Sequence, residues 1–259
     1  MTPEQYTAAR NAYRYVPARL QLAGQNQNPD LIWRGVRMWG DCLPTAQWQQ
    51  PETRAGYSSM ALDKYHMDLL NSEHDDDMLR GLASSVFWGY ASGQAGRHTP
   101  GRALARANML AQGRNGPRAV AAQNPADVLM HLRQARQELK NGNPGAALGE
   151  AMKIQFLGMS FASKLLMFLD PARAAVYDSV IAELLKTNES PELRKMAIGE
   201  ANPERTLLGR RMDAYRRWCD FCVTEAAELN AQGSCWTDWN EDKSSWRAVD
   251  IERAFFAGS

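Results

Sequence analysis

Residues 152–181 read MKIQFLGMSFASKLLMFLDPARAAVYDSVI. Apolar residues recur at helical spacing as far as Leu169, break at Asp170 and Pro171, return in Ala174, Ala175, Val176 and Tyr177, and continue after Asp178. That pattern predicts two short helices joined by a loop, one over 160–169 and one over 178–188. At about 100° per residue, Phe161, Ala162, Leu165, Leu166, Phe168 and Leu169 share one broad arc of the first helix, and Ser160, Ser163, Lys164 and Met167 fall opposite. Lys164 stands at the border of the apolar arc, beside Phe168. Its stem can lie on apolar surface with the amine at the edge, an environment that depresses the pKa of an ammonium. The same position also suits a lysine that simply snorkels to water. Asp178 stands where a helix begins, and an aspartate there is most often an N-cap. Fourteen positions separate the two residues, and a loop containing Pro171 can turn both side chains onto one side of a cleft.

The flanking sequence is helical too. A turn near Gly158 separates the first helix from another over 145–157, which follows a helix over 125–140 opened by Asn124 and Pro125 and closed by NGNPG. Asn115, Gly116 and Pro117 mark a loop. GQAGRHTPGRA, residues 93–103, breaks the pattern before a helix that starts near Arg102. HDDDMLRGLASSVFWGYASG precedes it, with Asp75, Asp76 and Asp77 placed where a helix N-terminus favours negative charge; they read as a cap and not as a metal site. Ser58 or Ser59 caps a helix over 58–71, and Thr2, Pro3 and Glu4 open one over 2–16. Residues 23–57 are rich in Gly, Asn, Gln and Pro and carry Trp33, Trp39 and Trp48, so they read as ordered loop or short elements covering a core. Downstream come a long helix over 203–231, a Trp-rich loop SCWTDWNEDKSSW and a closing helix AVDIERAFFA. No internal repeat and no convincing strand set emerges. The expected fold is all-α, a single unit over 1–259, with possible lobes formed by 1–57 plus 190–259 and by 58–189.

Composition narrows the functional classes. The chain has 259 residues, 44% hydrophobic and 23% charged, the profile of a globular protein with a real core. Its apolar runs are far shorter than the ~18 residues a membrane span needs. The N-terminal MTPEQYTAARNAYRYVP has no apolar signal core, so a cytoplasmic protein is expected. A formal net charge of +1 means that any attraction for nucleic acid must be local. The candidate basic clusters are Arg10, Arg14 and Arg19; Arg97, Arg102 and Arg106; and Arg210, Arg211, Arg216 and Arg217; each equally suits a solvated helix face. Cys219 and Cys222 sit three apart in a helical stretch with Cys235 beyond, and they read as small buried hydrophobes because a fourth ligand is not apparent. His66, His74, His98 and His131 show no paired metal spacing. Neither a phosphate-binding Gly-rich loop ending in Lys-Ser or Lys-Thr nor a nucleophilic serine elbow is present. No metal and no cofactor are expected.

FLGMSFASKLLMFLDPARAAVYDSVI resembles the hairpin, lysine-bearing helix and helix-opening aspartate of helix-hairpin-helix DNA glycosylases, and LLMFLDPARAAVYDSV is similar to their 8-oxoguanine glycosylase type. GLASSVFWGYASG and WRAVDIERAFF are similar to a bacterial branch with this fold, some members of which occur in anti-phage gene clusters. The resemblance implies two helical lobes with a cleft between them, and excision of a damaged or modified base after base flipping. It casts Lys164 as the nucleophile, with strand cleavage through a Schiff base, and Asp178 as the group that stabilises the sugar cation. Gly158, Ser160 and Ser163 of the hairpin, with Arg97, His98 and Arg102, become DNA contacts; Trp88, Trp246, Phe255 and Phe256 become base-pocket rings, all four equally suited to core packing. In the family the hairpin turn reads GxG, whereas here Phe156 precedes Gly158. Alignment on Asp178 puts the family lysine near Met159 or Ser160, one helical turn before Lys164. An enzyme using Asp178 alone is the alternative chemistry. The implied partner is DNA, double-stranded with a flipped base or single-stranded, with partner proteins from a defence operon possible. Two further readings stay open: a catalytically silent DNA-binding or sensor protein, and a helical interaction protein without a nucleic-acid role.

Overall fold

The computed structural model describes residues 1–13, 18–22, 32–33, 44–47, 58–91, 100–200 and 204–258. Helices dominate: α1 (Pro3–Ala12), α2 (Ser59–Leu70), α3 (Asp75–Ala91), α4 (Pro100–Gln112), α5 (Pro125–Lys140), α6 (Pro144–Ala151), α7 (Met159–Leu169), α8 (Ser179–Thr187), α9 (Pro191–Arg194), α10 (Leu207–Ala231) and α11 (Ala248–Ala257). The all-α class holds, and the starts of several helices follow from their caps. Thr2 and Gln5 form a reciprocal capping box on α1, and the side chains of Ser58, Asn124 and Thr206 accept from the first-turn amides of α2, α5 and α10.

Three expectations need correction. First, strands are present. β1 (Arg19–Leu22), β2 (Ile32–Trp33) and β3 (Pro44–Gln47) form an antiparallel sheet in the order β1-β3-β2, and β4 (Trp236–Thr237) pairs with β5 (Lys243–Ser244) inside the Trp-rich segment. These strands have four residues or fewer, too short for a period-two pattern to stand out. Second, the helix expected over 145–157 ends at Ala151. Met152, Ile154 and Leu157 continue the apolar pattern, but Phe156 has φ +67°, which a helix cannot hold. Third, α1 stops at Ala12, and a short helix, α9, with a 3-10 turn at Ile198–Glu200, occupies the approach to α10.

α7 lies at the centre, packed on α2, α3, α5 and α6. Every residue from Ala162 to Leu169 is buried, including Ser163, Lys164 and Met167 on the side expected to be polar. A helix buried all round is one that neighbours enclose completely, and here the chain between α7 and α8 closes over the second side. That crossing chain is anchored at several points. Trp218 of α10 donates its indole N–H to Val176 O at 2.9 Å, Tyr177 donates its hydroxyl to Met196 O at 3.0 Å, and the Val249 N–H of α11 donates to Pro171 O at 3.1 Å. The sheet is tied in by a buried relay in which the Leu20 N–H meets Ser84 Oγ at 2.9 Å and Ser84 Oγ meets His66 Nε2 at 2.9 Å. His66 Nδ1 faces Leu62 O at 2.9 Å. Burial pulls the His66 pKa down to about 4, so the ring is neutral, accepting from Ser84 and donating to Leu62. Cys219 and Cys222 are buried on α10, and burial raises both thiol pKa values, that of Cys219 to about 12.

Candidate active site

The two helices of the central hairpin, α6 and α7, are joined by residues 152–158. Gly158 caps α7 with φ −75°, an ordinary extended conformation, and a side chain there would meet open space. The left-handed position is Phe156. The turn therefore keeps a glycine-type backbone at the residue where the family pattern has its first glycine, at a cost of about 1–2 kcal/mol for a residue with a Cβ.

Two hydrogen-bonded rungs, each fourteen residues apart, connect α7 to the chain that returns over it. Ser163 Oγ accepts the Tyr177 N–H at 2.9 Å and donates to Ser160 O at 3.0 Å. One residue on, Lys164 Nζ lies 3.1 Å from Asp178 Oδ2 and 3.2 Å from Ser160 Oγ. The other Asp178 oxygen, Oδ1, accepts the Val180 and Ile181 amides at 3.0 and 3.3 Å and so caps α8. Both expected roles of Asp178, cap and charge partner, thus fall to one carboxylate, each on its own oxygen. The Lys164 side chain is 6% exposed and that of Asp178 14%. The amine is enclosed, not snorkelling, and its small opening is shared with the carboxylate.

An aromatic pair borders this contact. Phe161 and Tyr90 stack with centroids 4.2 Å apart and an interplanar angle of 22°, both partly buried. The Lys164 ammonium lies 5.7 Å from the Phe161 centroid, and the Arg106 guanidinium 5.4 Å from that of Tyr90. The close approach needs Gly89: a Cβ there would fall 2.7 Å from Phe161 Cε1 and 3.0 Å from Lys164 Cδ. Sequence reading passes over Tyr90 and Phe161 as site residues. One sits late in a long helix and the other in an apolar arc, and only packing brings them together.

The remaining candidates disperse. Arg97 and His98 lie outside the described residues. Arg102 is exposed near the start of α4, one turn before Arg106. Gly158 is exposed, Ser160 holds the Lys164 amine, and Ser163 is fully buried against Tyr177. Trp88 is buried edge-on to Phe168, while Trp246 and Phe255 are buried against Tyr6, and the half-buried Phe256 meets Tyr13. Phe255 also lines an open cleft of about 940 Å³ between α1, α8 and α11, with Val180 and Leu184. Members of two of the expected basic clusters are spent on internal ion pairs, and Arg14 lies outside the described residues. Arg10 is buried against Asp250, and Arg216 and Arg217 both pair with Asp213.

Glu252 of α11 is a further carboxyl, and it is buried; burial first and the Asp178 charge second raise its pKa to about 8. Its sequence surroundings, AVDIERAFF, gave no sign of this, because a lone glutamate in an amphipathic helix usually faces water. Among the described residues no helix is long and apolar enough to cross a membrane, and no cluster of three His, Cys, Asp or Glu groups is placed to hold a metal.

Comparison with curated proteins and with solved structures found no match. Residues 37–256, which include the hairpin, Lys164, Asp178 and α11, match the family model described as 8-oxoguanine DNA glycosylase OGG-like protein, and the chain belongs to that family.

Proposed function

We propose that this protein is a DNA glycosylase that flips a damaged or modified nucleotide from the duplex and excises its base, with Lys164 and Asp178 as the reacting pair. The observation that carries this reading is the 3.1 Å contact between Lys164 Nζ and Asp178 Oδ2 at the end of the central hairpin. A lysine attacks only after losing a proton, and the Asp178 carboxylate is the acceptor within reach. Lys164 Nζ then bonds to C1′, the glycosidic C1′–N bond breaks, and its electron pair leaves with the base, which is protonated as it departs. The Asp178 charge stabilises the positive character that develops on the sugar. Loss of the second amine proton and ring opening give the Schiff base through which strand cleavage proceeds.

DNA meets the protein at the start of α7, where the Met159 and Ser160 amides precede the first hydrogen bond of the helix, from the Phe161 N–H to Gly158 O, and Gly158 leaves space for a phosphate. Arg102 and Arg106 on α4 supply local positive charge. Base stacking falls to Phe161 and Tyr90, which border the pair and are only partly buried, whereas Trp88, Trp246 and Phe255 are buried in the core. The excised base and the setting, repair or anti-phage defence, follow from the substrate.

The test is borohydride trapping on a panel of duplexes carrying oxidised, deaminated or alkylated bases. A covalent adduct with one duplex, absent with Lys164→Gln, is the expected result. Abasic product without an adduct points to Asp178 acting alone. Neither adduct nor abasic product on any duplex sinks the enzyme reading. One observation favours a second reading, a catalytically silent DNA-binding or sensor protein: the Lys164 amine is almost wholly enclosed, as a structural ion pair is. That reading predicts salt-dependent DNA binding that Lys164→Gln leaves intact, without product.

A further inference from the structure

Charge is unevenly placed along this chain. From Met78 to Ala126 there are six arginines and no lysine, aspartate or glutamate. That stretch carries a formal +6 in a chain whose total is +1, which leaves −5 on the rest. Arg80 is engaged by Asp77 at 2.7 Å. Arg102 and Arg106 of α4, and Arg114 and Arg118 beyond its end, are all exposed. A helix rises about 1.5 Å per residue, so Arg102 and the end of α4 at Gln112 stand roughly 15 Å apart. The same length of duplex carries about four phosphates on each strand.

The turn bearing Arg114 and Arg118 has a fixed shape. Gly113 closes α4: its N–H reaches Met109 O at 2.9 Å, its φ is +74°, and a Cβ there would fall 2.2 Å from Val120 O. Arg114 and Val120 exchange both backbone hydrogen bonds at 2.8 Å, and Arg114 Nε donates to Arg118 O at 2.8 Å. Both ends of the basic segment are fastened to the candidate site. At one end, the Arg106 guanidinium lies 5.4 Å from the Tyr90 centroid, Tyr90 stacks on Phe161, and Phe161 borders the Lys164 amine. At the other, the Gln123 side chain holds the hairpin turn with both of its polar atoms. Its Oε1 accepts the Gln155 N–H at 2.9 Å, and its Nε2 donates to Lys153 O at 3.4 Å. Gln155 stands next to Phe156 and three residues before Gly158.

We infer that Arg114 and Arg118 form a phosphate-binding arm for duplex DNA, which continues the charge of Arg102 and Arg106 and is set against the hairpin by Gln123. The bond to Arg118 O occupies Nε of Arg114, and a phosphate is met by the terminal guanidinium nitrogens. The −5 on the rest of the chain disfavours a polyanion elsewhere, so segregation lets a nearly neutral protein bind DNA on one side. The arm presupposes the DNA-binding half of the glycosylase reading and none of its chemistry.

The test is binding by the full chain to a labelled, undamaged duplex of about 20 base pairs, read by fluorescence anisotropy from about 50 to 200 mM salt. The wild type is compared with the double variant Arg114→Gln/Arg118→Gln. Loss of two phosphate contacts lowers the slope of log affinity against log salt by about 1.8, which amounts to as much as about 60-fold in affinity at 100 mM salt. The pair Arg114→Lys/Arg118→Lys keeps the charge but cannot make the Nε bond, and it holds the wild-type slope to within about 0.5. A control pair, Lys64→Gln/Lys243→Gln, removes the same net charge at exposed positions outside the segment and leaves the slope unchanged. An unchanged slope in the arginine-to-glutamine pair overturns the inference. So does an equal fall in the control pair, which makes the effect one of net charge. A lysine pair that binds as poorly as the glutamine pair overturns it too, because the effect is then one of turn structure. The expected fall without product from any duplex of the damaged-base panel keeps the arm and overturns the enzyme reading. No binding by the wild type at 50 mM salt overturns both.

Discussion

Two groups of buried charge lie close together in this molecule, and they are built differently. Around α11, Asp63 receives Arg253 in a two-point fork and Arg247 at 2.7 Å, and Asp250 receives both Arg10 and Arg247. Each carboxylate is saturated by planar guanidinium groups, the geometry that best repays desolvation. Burial raises the pKa of Asp250, yet the arginines outweigh it and bring the value down to about 2. At the hairpin, the Lys164 ammonium meets a carboxylate half of which is committed to capping α8. Arginine stays protonated and fixes its partners, whereas lysine can surrender its proton. The saturated cluster fixes α11 in place, and the sparsely paired group keeps the proton freedom that chemistry needs.

Substitutions can break that contrast. The largest effect is expected from Lys164→Gln, which eliminates the borohydride adduct while urea unfolding shows a folded protein, since the Asp178 carboxylate keeps its bonds to the Val180 and Ile181 amides. Asp178→Asn sharpens the point. Asparagine caps as well as aspartate, so the protein stays folded and loses only what the carboxylate gives the enclosed Lys164 amine, while excision falls by about 10²–10⁴-fold through loss of the proton-handling charge. A drop in stability with unchanged excision would mean that Asp178 is only a cap. Asp63→Ala reverses the pattern: it strands Arg253 in the interior and costs about 3–5 kcal/mol in denaturant unfolding, with the trapping rate per folded molecule retained. The smallest effect concerns the hairpin. Phe156→Gly should be more stable than Phe156→Ala by about 1–2 kcal/mol, because both lose the ring and only alanine keeps the left-handed strain. Equal stabilities would show that the turn relaxes when the ring is removed.

Much of the site is legible in the sequence. The fourteen-residue spacing, the loop containing Pro171 and the helix-opening position of Asp178 lead to the Lys164–Asp178 contact without coordinates. The conformation of Phe156 is not legible, because a bulky residue gives no sign of positive φ; only the family's glycine at that place hints at it. Tyr90 pairs with Phe161 across more than seventy residues of chain, and the pairing leaves no local periodic mark. The basic cluster containing Arg10 was misleading for the same reason: a helical arginine looks solvated until its buried partner, here Asp250, is found 240 positions away.

The sequence by itself determined what short-range physics controls. Caps and breakers set the helix starts, apolar periodicity set the helical class, and the lysine and aspartate were placed on consecutive helices with their relative reach fixed by the loop between them. Tertiary structure decided what depends on desolvation and on distant partners: that α7 is enclosed, that a small sheet is tied to α3, and that Glu252 of α11 is buried. Burial is a property of what packs against a residue, and Lys164 is met by Gly89 from α3 and by Asp178 from the start of α8.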